Sequence, residues 1–98
     1  MSDDALRQAV LSAGQAYEEA KSARKTALAQ CLLHIKGVMN VIGNMITQTK
    51  LTDEYKNARH QRFIVSQAIF DQEVRKASRA KQRLERLAEA LAARQEQG

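Results

Sequence analysis

Proline and tryptophan are missing from this sequence, cysteine occurs once, and glycine and aromatic residues occur four times each in 98 positions. Without proline, nothing obliges a helix to kink or stop. With so few turn residues, a sheet of many short strands is disfavoured. A single cysteine excludes an internal disulfide and suits a reducing compartment. Long apolar runs are lacking too. The most apolar stretch, residues 31–46, contains His34, Lys36, Asn40 and Asn44, so it is too short and too polar to span a bilayer. The acidic start, Ser2-Asp3-Asp4, has neither the basic flank nor the apolar core of a secretory leader, and the expected location is cytoplasmic.

What is present is helix-forming: alanine, leucine, glutamine, arginine and glutamate dominate. A hydrophobic share of 44% with 28% charged residues belongs to a packed or coiled-coil chain rather than a disordered one. Sixteen lysines and arginines against eleven acids leave a net charge of +5. The length accommodates one domain, residues 1–98.

Ser2 can cap a helix whose first turn carries Asp3 and Asp4, and Thr52 followed by Asp53 and Glu54 repeats the signature. The spacing predicts a helix over about 3–47, a hinge over 48–52 and a second helix over about 53–94. Gly43-Asn44 offers an alternative end to the first helix. Two arms of similar length on either side of a central break predict an all-α fold, an antiparallel helical hairpin of coiled-coil type.

In the first arm, Leu28, Leu32, Ile35, Met39, Ile42 and Ile46 alternate at spacings of four and three, which reads as the coiled-coil seam. Cys31, Val38, Val41 and Met45 form a second row beside it. In the second arm Phe63, Phe70, Ala77, Leu84 and Leu91 recur every seven residues, with Val74, Ala80, Leu87 and Ala88 between them. Val65, Ala68 and Ile69 widen the apolar surface near the hinge. A two-helix hairpin buries one stripe per arm, so a second stripe needs something else to cover it. The expectation is a homo-oligomer, most simply two hairpins forming a four-helix bundle through their hinge halves. The interface would draw on Leu28, Leu32, Ile35, Val38, Met39, Ile42, Met45, Ile46, Phe63, Ile69 and Phe70.

Positive charge concentrates in Arg75, Lys76, Arg79, Lys81, Arg83 and Arg86, six cations in a stretch of twelve residues whose only acid is Glu85. At 100° per residue, Arg75, Lys76, Arg79, Arg83 and Arg86 share one arc beside the seam. They are the candidate contacts for a partner protein or for nucleic-acid phosphates. The alternative is a solvated flank paired with Glu18 and Glu19 across the hairpin.

The remaining chemistry is sparse. Cys31 and His34 lie one turn apart, but two ligands do not make a metal site, and an uninterrupted helix offers no oxyanion donors for a cysteine nucleophile. His34 reads as a partly buried interface histidine and His60 as solvent-facing. Asp53 and Glu54 are accounted for by the helix dipole. Gly37, with Leu33, Asn40 and Asn44, marks a separate face. No phosphate-binding glycine loop, zinc spacing, paired-carboxylate motif or nucleophile elbow occurs. Size and a mid-chain hinge resemble the WXG100 helical hairpins, yet Val41-Ile42-Gly43 stands where that family has Trp-x-Gly, and no family is assigned. The expected function is that of a small interaction protein, not an enzyme, using no cofactor or metal. It would self-associate and bind or mask a partner protein as an adaptor, chaperone or antirepressor-like inhibitor. The alternative is a nucleic-acid-binding helical dimer using the basic ridge.

Overall fold

In the computed structural model, which describes residues 2–97, Ser2 and Thr52 each open a helix. The Ser2 hydroxyl accepts a hydrogen bond from the Ala5 amide at 3.1 Å, and the Thr52 hydroxyl accepts one from the Tyr55 amide at 3.2 Å. Each oxygen satisfies a donor that the first helical turn leaves without a partner. Asp3 and Asp4, like Asp53 and Glu54, put negative charge at the positive end of the helix dipole. Helix α1 then covers Asp3–Ile46 and α2 covers Asp53–Gln97, and the two pack as an all-α hairpin with no strand among the described residues. Among those residues, no helix is long and apolar enough to cross a membrane.

The end of α1 is set by its backbone. Gly43-Asn44 does not stop the helix: the Thr47 amide still bonds the Gly43 carbonyl at 3.0 Å. One turn later Gln48 takes φ 59°, its amide bonds the Met45 carbonyl at 3.2 Å, and the Thr49 amide bonds the Asn44 carbonyl at 2.8 Å. That pair of bonds around a left-handed residue is a Schellman cap, which usually holds glycine because a Cβ crowds the carbonyl there. Gln48 bears that strain. Gln48→Gly is therefore expected to stabilise the hairpin by about 0.5–1 kcal/mol, net of glycine's larger unfolded-state entropy. A thermal melt checks it: the midpoint should rise by roughly 2–8 °C.

Backbone contacts gather into two compact units, a terminal one made of Met1–Arg24 with Glu73–Gly98 and a hinge unit of Lys25–Gln72. In the terminal unit, buried or half-buried positions of α1 include Leu6, Val10, Ala13, Tyr17, Ala20 and Arg24, spaced by four and three, with Ala9, Gly14 and Lys21 beside them. Those of α2 are Glu73, Ala77, Ala80, Leu84, Leu87, Leu91 and Arg94. The Arg94 guanidinium reaches Asp3 Oδ1 at 3.1 Å, which sets the register between the arms. That register puts Leu6 level with Leu91, Ala13 with Leu84, Tyr17 with Ala80 and Ala20 with Ala77. Leucine thus meets leucine near the termini, a large side chain meets alanine at Ala13–Leu84 and Tyr17–Ala80, and two alanines meet at Ala20–Ala77. Ala77 has no exposed surface and Ala13 only 1%, so the helices close tightly around alanine.

In the hinge unit the same four-three spacing continues through Ala27, Cys31, His34, Val38 and Val41 on α1, and through Lys56, Arg59, Phe63, Ser66 and Phe70 on α2. This corrects the expectation for α1. The row Leu28, Leu32, Ile35, Met39, Ile42 and Ile46 is not the hairpin seam; the row through Cys31 is. Both rows satisfy a heptad locally, but a long helix must offer one stripe along its length. Followed toward the N-terminus, the Leu28 row runs through Lys25, Lys21, Glu18, Gly14, Leu11 and Arg7, four charges in six, whereas the Cys31 row runs through Ala27, Arg24, Ala20, Tyr17, Ala13, Val10 and Leu6, one in seven. In α2 the sevenfold row from Phe63 to Leu91 lies in the seam as expected. The positions between are Ser66, Glu73, Ala80 and Leu87, while Val74 faces outward, 37% exposed.

Candidate interaction surfaces

Because the hairpin seam is filled by the Cys31 row, the Leu28 row faces out. Leu32 and Ile42 are each 51% exposed, Met39 is 63% and Ile46 is 77% exposed; Leu28 is also exposed and Ile35 is half-buried. From Leu28 to Ile46 this row carries no charged side chain. Its spacing by four and three over about 27 Å, at 1.5 Å per residue, is that of a seam awaiting another helix. Met45, four residues beyond Val41 on the neighbouring Cys31 row, is 62% exposed at the hinge end.

The other expected interface residues divide. Val38, Phe63 and Phe70 sit in the hairpin seam, half-buried between the arms. Ile69 lies on the flank of α2 away from the Leu28 row, and is 48% exposed. Ile64, absent from the expected set, is exposed on the flank nearer that row. It was missed because it belongs to neither of the two spacings evident in α2.

Cys31 is buried and His34 half-buried in the seam of the hinge unit. Ser66, in the α2 part of that seam, donates its hydroxyl to the Phe63 carbonyl at 2.8 Å and so brings no unpaired polar group inside. No group of three metal-ligating side chains occurs among the described residues. His60 is exposed, as expected.

Gly37 has a specific neighbour. A Cβ there would stand 3.1 Å from Arg59 Nη1 and 3.2 Å from Arg59 Cδ, so the arginine crosses α1 where a side chain is missing. Arg59 Nε donates to the Tyr55 hydroxyl at 3.1 Å, and its guanidinium lies 5.1 Å from the centre of the Tyr55 ring. The result is an open groove lined by Leu33, His34, Lys36, Gly37, Met39, Asn40 and Arg59. It is shallow and basic, and it holds no acid or nucleophile.

The basic ridge of α2 belongs to the terminal unit, and all of Arg75, Lys76, Arg79, Lys81, Arg83 and Arg86 are exposed. Lys76 pairs with Glu73 at 3.4 Å and Lys81 with Glu85 at 3.9 Å. Among the described residues, no ion pair joins Arg75, Arg79, Arg83 or Arg86 to a carboxylate. Arg79 and Arg86 instead make long bonds of 3.4 Å to carbonyls one turn earlier on their own helix. The expected cross-hairpin partner Glu18 is engaged by Lys21 at 2.8 Å. That hydrogen bond holds the Lys21 ammonium protonated above its usual range.

No known protein family, curated protein or solved structure matches this chain.

Proposed function

We propose that the protein works by helix–helix contact, as a self-associating interaction module whose hinge units join two hairpins into a four-helix bundle. The observation that carries this reading is the exposed Leu28–Ile46 row, a charge-free heptad stripe left over once the hairpin seam is satisfied. A second copy fits it because the row is self-complementary: apolar, evenly spaced and free of like charges that would repel across a two-fold axis. An assembled bundle of this kind acts on other proteins by presenting or masking helices, as an adaptor or inhibitor does. A cytoplasmic setting suits its single thiol, Cys31, buried in the seam.

Sedimentation equilibrium across 1–100 μM tests the proposal. The expected mass is a multiple of 11.0 kDa that falls toward one chain only on dilution. A single 11.0 kDa species throughout would overturn it.

A further inference from the structure

We propose that the terminal unit binds the phosphate backbone of duplex DNA along α2, through Arg75, Lys76, Arg79, Arg83 and Arg86. On the outward side of α2 between residues 75 and 86, the helical spacing groups these five cations with Gln82 and with no acid and no apolar side chain. Four of the five are guanidiniums without a carboxylate partner among the described residues, and all are exposed. Guanidinium presents a fork of donors that matches phosphate oxygens bidentately.

The same composition chooses the partner. A surface for an acidic protein would carry an apolar centre to bury, and this one has none. A surface for single strands would interleave aromatic side chains on which bases stack, and the nearest aromatic in sequence is Phe70, in the hairpin seam. A row of cations on one rigid helix suits a double helix read by charge alone. B-form DNA has a major groove about 12 Å wide, which admits an α-helix of about 10–12 Å, whereas the A-form groove of RNA is too narrow. Binding is sequence-independent, because no residue of the ridge is held against base edges by a neighbour.

Fluorescence anisotropy of a labelled 20-base-pair DNA duplex of arbitrary sequence, titrated with the full chain from 50 to 200 mM salt, tests this. With four or five phosphates neutralised per chain, the logarithm of the binding constant should fall against the logarithm of salt with a slope near −4 or steeper. In a variant carrying Arg79→Gln, Arg83→Gln and Arg86→Gln the slope should shrink by about 2.7, at about 0.9 per lost contact, with at least a tenfold loss of affinity at 100 mM salt. The Lys versions of the same three changes should keep most of the binding. All these positions are exposed, so circular dichroism melts should coincide with that of the parent chain. Absence of binding at 50 μM protein and 50 mM salt overturns the proposal. So does a Gln variant that binds as the parent does, a preference for an RNA duplex or single-stranded DNA, or displacement of the duplex by polyglutamate at equal charge. The ridge lies outside the hinge unit, so failure of this proposal and failure of self-association are read by separate experiments.

Discussion

A chain carrying both Leu32→Glu and Ile42→Glu is expected to sediment as 11.0 kDa monomers while keeping its helical circular dichroism. Each side chain is 51% exposed in the single hairpin, so a glutamate at either place stands in water there. Glutamate and leucine also differ little in helix propensity, by a few tenths of a kcal/mol. In the proposed bundle the same positions are covered by the matching row of a second copy. Each uncompensated buried carboxylate then costs several kcal/mol, and a two-fold dimer contains four of them. Even about 5 kcal/mol in total raises the dissociation constant by between three and four powers of ten, enough to abolish assembly at micromolar concentration. Sedimentation reads the mass, and the 222 nm signal reads the fold. A double variant that remains oligomeric would remove this row from the interface. Loss of helicity in that variant would instead assign the row to the interior of the hairpin.

The sequence made the two helices legible because their signals are local. Ser2 and Thr52 lie one residue before the helices they cap, and the sevenfold row from Phe63 to Leu91 marks the α2 seam on its own. The end of α1 was less legible, since its cap places Gln48 where a glycine would have announced it. The choice between two stripes in α1 was misread for a physical reason. The stripe with larger side chains, from Leu28 to Ile46, looks like a core when read over twenty residues. The seam that the hairpin uses is poorer in bulk, with Ala13, Ala20, Ala27 and Cys31, but it is the one that stays free of acids from Leu6 to Val41. Close approach over alanine lets small side chains serve as a core, and that geometry depends on the partner helix. For the ridge, the sequence grouped the arginines but could not settle their partners. The structure pairs Glu18 with Lys21 and, among the described residues, joins neither Glu19 nor any other carboxylate to Arg75, Arg79, Arg83 or Arg86.

The reassignment of the seam makes Phe70→Asp a test of folding, not of assembly. Phe70 is half-buried on the inner side of α2, so its ring supplies part of the packing in the seam of the hinge unit. Replacing the ring with a carboxylate removes that packing and also aims a charge into the seam, a combined cost of about 3 kcal/mol or more. Against a total stability of 5–15 kcal/mol typical of small domains, that is a large fraction. The expected result is a thermal midpoint, followed at 222 nm, lowered by at least about 12 °C. Ile69→Asp supplies the control. The neighbouring residue is 48% exposed on the flank of α2, so its change should shift the midpoint by no more than about 4 °C. If Phe70→Asp instead gave a fully helical monomer melting like the parent chain, Phe70 would belong between copies. The seam through Cys31 would then have to be redrawn.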